Sequence, residues 1–148
     1  MALPPQKFRE IVFQLLFGRD LGVMDADDAI PMLMGELKVT RRAVRDALAK
    51  AELIEQRRLS LDEHLAANCQ SYRLERMHTA ERSALRLGLF ELLYDDQELP
   101  PKVAISEAMR LARKFGTPEG AQFVNAIMDQ VYKVQVLKDE PMAGERIA

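Results

Sequence analysis

Tryptophan is absent from this 148-residue chain, and cysteine occurs once, at Cys69. A single thiol excludes an internal disulfide framework and a zinc site built from several cysteines, and it suits a reducing compartment. Histidine is almost as scarce, with only His64 and His78. Glu63 precedes His64, but no HExxH pattern places a second imidazole one helical turn away, so no metal site is indicated. The glycine-rich signatures of nucleotide binding, GxGxxG and GxxxxGK[ST], are also missing. The N-terminal MALPPQKFRE lacks the apolar core of a signal peptide. No apolar run approaches the roughly 20 residues needed to cross a bilayer. These absences read as a soluble, cytoplasmic protein without membrane association, and as one that is not an enzyme and carries no metal or cofactor.

An excess of positive charge is lacking too. The 21 Lys and Arg are offset by 23 Asp and Glu, for a net charge of −2. Bulk electrostatics therefore does not point to nucleic acid. Any such role would rest on local patches, on stacking, or on the charge of a partner.

What is present is helical. Phe8, Ile11, Val12, Leu15 and Leu16 form one stripe, and Phe13 and Phe17 form a second side. This predicts a first helix buried on two sides, begun near Pro4 and Pro5 and ended at Gly22. Asp25 to Asp28 open a second helix with Ile30, Leu33, Met34 and Leu37 at i, i+3, i+4, i+7 spacing. Thr40 is the expected N-cap of a third, with Val44, Ala47, Leu48, Ala51 and Ile54 inward and Arg41, Arg42 and Arg45 outward. Its pattern continues through Leu61 and Leu65, with a bend expected near Ser60. A polar stretch follows, and Thr79 is expected to cap the next helix. In SALRLGLFELL the leucines and Phe90 nearly encircle the axis, as in a helix at the centre of a bundle. Gly88 on that helix would admit a close neighbour. Pro100 and Pro101 restart the chain. Val103, Ala104, Ala108, Leu111, Ala112 and Phe115 then line a narrow face, and a last helix runs from Pro118 past Phe123, Ile127, Val131 and Val134. No stretch alternates as a half-buried strand does, so the fold class is all-α.

The stretch KFGTPEGAQFVN, residues 114–125, holds the most suggestive chemistry. Gly116, Thr117 and Pro118 are explained as helix punctuation. Phe115 and Phe123, one on each side of the break, are not. Arg110, Arg113 and Lys114 precede the break, where cations suit a helix C-terminus, and Pro118 and Glu119 open the next helix, whose free amides favour anions. Cations, amides and two aromatic rings around one joint are the ingredients of a single-stranded RNA site. Burial of one ring against the other is the alternative.

In the second half, ERSALRLGLFELL, PPKVAISEAMRLARKFG and QFVNAIMD resemble the successive C-terminal motifs of the NusB transcription antitermination family, over about residues 79–129. KFREIVFQLLF resembles that family's first helix more loosely. The resemblance implies a fold of two packed helical bundles with six to seven helices. Their expected extents are about 4–68 and about 72–136 within one domain over 1–136, with a polar, flexible tail at 137–148. It implies a protein without catalysis that binds boxA RNA with the ribosomal protein NusE, in an RNA polymerase antitermination complex acting on ribosomal RNA operons. Phe115 and Phe123 match the family's RNA-facing aromatics, and Glu119 an acidic position in the same joint. Lys7 and Arg9 fall in its N-terminal basic segment, with Arg113 and Lys114 as further phosphate contacts. Glu81, and with it Glu75, matches the partner-facing surface.

The family commonly opens with a run of several arginines, of which Lys7 and Arg9 are what stands here. Fewer phosphate contacts lower both the affinity and its salt dependence. Two other readings stay open. One is the RNA-binding fragment of a ribosomal-RNA cytosine methyltransferase, whose N-terminal domain is NusB-like. The other is a helical protein-interaction module without RNA. The methionine-rich interior and two-sided first helix permit a homodimer without requiring one.

Overall fold

The computed structural model describes residues 3–22, 26–69, 76–95 and 99–136. Among the described residues the regular structure is helical, without strands. The helices are α1 (Pro5–Leu21), α2 (Ala26–Leu37), α3 (Arg41–Gln56), α4 (Arg58–Asn68), α5 (Thr79–Leu93), α6 (Pro101–Phe115) and α7 (Pro118–Val131). A π-helical turn, Tyr132–Val136, extends α7. None of these helices is long and apolar enough to cross a membrane.

The chain divides into two compact units, Met1–Arg58 and Leu59–Ala148. Nearly all of α4 thus falls in the second unit, whereas the halves expected from sequence met between residues 68 and 72. The expected bend near Ser60 is instead a helix break at Arg57, whose amide closes α3 on the carbonyl of Ile54 at 3.0 Å.

In the first unit α3 packs on α1 and α2. Ile11, Val12, Phe13, Leu15 and Leu16 of α1 are buried, which is the two-sided burial that their spacing predicts. Phe13 and Phe17 stack with ring centroids 5.6 Å apart. Gly22 ends α1 with φ 73°, a left-handed backbone natural for glycine, and its N–H reaches the carbonyl of Arg19 at 3.0 Å. Thr40 caps α3 as expected, its hydroxyl accepting from the Ala43 amide at 3.1 Å.

In the second unit α5 is the central helix. Its residues from Ser83 to Glu91 are all buried, and it packs against both α6 and α7. Gly88 makes this possible. A Cβ there would stand 2.9 Å from Ala108 Cβ on α6 and 2.8 Å from Met128 Sδ on α7. The cap of α5 is His78 rather than Thr79, and its side chain makes no capping hydrogen bond. Thr79 is instead the first helical residue. Arg86, buried in α5, is tied to α4 by two hydrogen bonds to Asp62, Nε to Oδ1 and Nη2 to Oδ2, each 2.9 Å. Ser60 and His64 of α4 meet the Tyr94 hydroxyl at 2.5 and 3.3 Å. Val103 and Val134, expected on inward faces, are exposed.

Candidate nucleic-acid interface

The joint between α6 and α7 gathers five of the residues singled out from sequence. Arg113 and Lys114 occupy the exposed last turn of α6, where the helix dipole favours cations. Arg110, one turn earlier, has a different task. Its Nη2 lies 3.1 Å and its Nε 3.3 Å from Oε1 of Glu107, a buried carboxylate that it neutralises. The outward cations of this helix end are therefore Arg113 and Lys114.

Phe115 ends α6 and Phe123 lies in the second turn of α7. Both rings are half-buried. A clasp serving only to fasten the helices would bury both, and neither is fully buried. Lys114 Nζ stands 5.6 Å from the centroid of Phe115, within cation–π range. A base stacked on Phe115 would lie beside an ammonium group able to meet its phosphate.

The turn is set by three residues. Gly116 has φ −133° and ψ −119°, not the left-handed backbone of Gly22. Its need for glycine is crowding, because a Cβ would lie 2.7 Å from the Ala112 carbonyl oxygen and 3.3 Å from Ala80 Cβ. Thr117 caps α7, accepting from the Gly120 amide at 2.9 Å, and Pro118 takes the first helical position. The expected free amides are thereby reduced. Pro118 has none, Gly120 donates to the Thr117 hydroxyl, and Ala121 donates to the Thr117 carbonyl at 3.0 Å. Anion binding here rests on the side-chain cations more than on the helix N-terminus. Glu119, exposed in the first turn, suits the dipole and sets an acidic limit on one side of the joint.

Lys7 and Arg9 are on the first turns of α1, in the other unit, and both are half-buried. Glu75 lies outside the described residues. Glu81, expected on a partner-facing surface, is turned inward and only 7% exposed. Its carboxylate lies against Gly120, with Oε2 2.7 Å from where a Cβ on that glycine would be. Sequence reading did not find this contact. The available signal was Gly120 itself, a helix-weakening residue within a first turn that Thr117 and Pro118 already explain.

Comparison with known proteins extends this geometry. The NusB family model matches residues 6–133. The transcription antitermination protein NusB of Dehalococcoides mccartyi strain CBDB1 is 32% identical over 133 residues, 90% of this chain and 92% of that protein. The protein of the same name from Anaeromyxobacter dehalogenans strain 2CP-1 is 36% identical over 124 residues, 83% of this chain and 86% of its own. Among solved structures, T. maritima NusB superposes with a TM-score of 0.75 at 27% identity, covering 90% of this chain and 93% of that one. A crystal structure of antitermination factors NusB and NusE with double-stranded RNA gives a TM-score of 0.73 at 21% identity, over 87% and 96% of the two chains. At that identity the second likeness speaks for the fold.

Proposed function

This chain belongs to the NusB family, and from that premise we propose that it is an antitermination factor that binds single-stranded boxA-type RNA at the α6–α7 joint. The observation that carries the reading is the pair of half-buried rings, Phe115 and Phe123, flanking a capped turn beside exposed Arg113 and Lys114. Bases stack on the rings, and Arg113 and Lys114 neutralise phosphates. Glu119 bounds the site, and the resemblance assigns Lys7 and Arg9 to phosphate contact as well.

The partner is a NusE-type ribosomal protein, docking near the start of α5, where the resemblance carries Glu75 and Glu81. A protein of this fold has been solved together with NusE and double-stranded RNA, an assembly of the kind proposed for this chain. With a net charge of −2 and a short basic N-terminal segment, this chain binds RNA weakly alone. The basic partner supplies the missing charge, and the assembly promotes read-through by RNA polymerase on ribosomal RNA operons. Titrating a fluorescent boxA-type RNA with this protein, alone and with its NusE partner, tests the reading. Binding that strengthens with the partner supports it. An RNA affinity equal to that of the partner alone would leave a protein-interaction module without RNA contact.

A further inference from the structure

The first turn of α5 forms the floor of the α6–α7 joint. A Cβ on Gly116 would stand 3.3 Å from Ala80 Cβ, and one on Gly120 would stand 2.7 Å from Glu81 Oε2 and 3.1 Å from Glu81 Cγ. Both glycines of the joint thus let it settle onto two consecutive residues of α5. Glu81 is 7% exposed, a costly place for a carboxylate unless its surroundings favour the charge. They do. Glu81 is the third residue of α5 and its carboxylate lies beside the third residue of α7, so the positive ends of two helix dipoles meet it.

We propose that Glu81 is a positioning residue for RNA binding. By joining the first turns of α5 and α7 it fixes where α7 begins, and so how Phe123 stands relative to Phe115, in this chain alone and before any partner docks. The inference rests on the RNA site described above and gives Glu81 a role inside the protein. A partner docking on the start of α5 would then act on the RNA joint through this carboxylate.

The sign of the effect separates positioning from charge. Removing an anion from the neighbourhood of a phosphate site tightens RNA by electrostatics alone, whereas loss of positioning weakens it. The experiment measures the affinity of the full chain for a labelled single-stranded boxA-type RNA at low salt without a partner. It compares wild type, Glu81→Ala, Glu81→Gln, Phe123→Ala and the Glu81→Ala/Phe123→Ala double variant.

Glu81→Ala is expected to bind about tenfold more weakly, the size of one partly lost stack. Glu81→Gln, which keeps the length but not the charge that the two helix ends meet, is expected to fall between wild type and Glu81→Ala. In the Phe123→Ala background, Glu81→Ala should change nothing further, because the stack it positions is already gone. Unchanged or tighter binding by Glu81→Ala, with Phe123→Ala weakened, overturns the role of Glu81 and leaves the RNA site standing. Full additivity in the double variant overturns it as well. Wild-type affinity in Phe123→Ala, or no binding by wild type, removes the RNA site of the free chain and the positioning role with it. Should Glu81→Ala fail to fold, Gly120→Ala displaces the same carboxylate from the α7 side, with the same expected weakening and the same overturning result.

Discussion

Arg86 and Asp62 meet as a fork, each of two guanidinium nitrogens 2.9 Å from its own carboxylate oxygen, with the arginine 5% exposed. This pair ties α4 to the central helix of the second unit. Removing the carboxylate strips a buried cation of this fork, and breaking a fully buried pair costs about 3–5 kcal/mol. The Asp62 side chain is 21% exposed, so water can partly replace it and the lower end applies. Asp62→Ala is expected to lose about 3 kcal/mol in urea unfolding. A loss well under 1 kcal/mol would show that the pair does not hold α4 in place.

Gly88 sits where three helices converge. Alanine there gains about 1 kcal/mol of helix propensity but places its methyl 2.9 Å from Ala108 Cβ. Met128 can swing its thioether aside. Ala108 cannot, because its Cβ is fixed to the α6 backbone. Overpacking of this kind costs about 1–3 kcal/mol, so Gly88→Ala is expected to be destabilising by about 1 kcal/mol net. A raised melting temperature would contradict the close packing of α5 on α6.

Cys69 is buried, and burial pushes its thiol above the ordinary range. The folded protein therefore holds this proton more tightly than the unfolded chain does. The resulting stability is fully present below the unfolded thiol value, about 8.5, and is lost as pH rises through the higher folded value. Native Cys69 should alkylate far more slowly than the urea-unfolded chain at neutral pH. The stability gap between wild type and Cys69→Ala should also shift against wild type as the solution becomes alkaline. Equal alkylation rates for the folded and unfolded protein would contradict its burial.

Much of the architecture was legible because apolar spacing fixes helix faces. The stripe from Ile11 to Leu16, the encircled helix around Leu85 to Phe90, and the punctuation at Gly22, Thr40, Thr117 and Pro118 all follow from local rules. What was not legible depended on distant partners. Arg57 and Arg58 are ordinary helix formers, so nothing local marks the break between α3 and α4. Arg58 is held there by Asp20 at 3.5 Å and Glu55 at 3.6 Å. Glu81 in a first helical turn looks like any dipole-favoured surface acid. It is inward because Gly120, far along the chain, leaves room for it. Arg110 looked like part of a cationic cluster and proves to be the counter-ion of Glu107. The aromatic pair was visible as a question, and its partial exposure is what the structure adds.

The central claim is that the ring of Phe123 stacks on an unpaired base. Its most direct test is the affinity of Phe123→Ala for single-stranded boxA-type RNA, measured with the NusE partner present and with the variant's fold verified by circular dichroism. The account predicts a loss of about 1–3 kcal/mol, the size of one base–aromatic stack. A folded Phe123→Ala that binds the RNA as wild type does would contradict it.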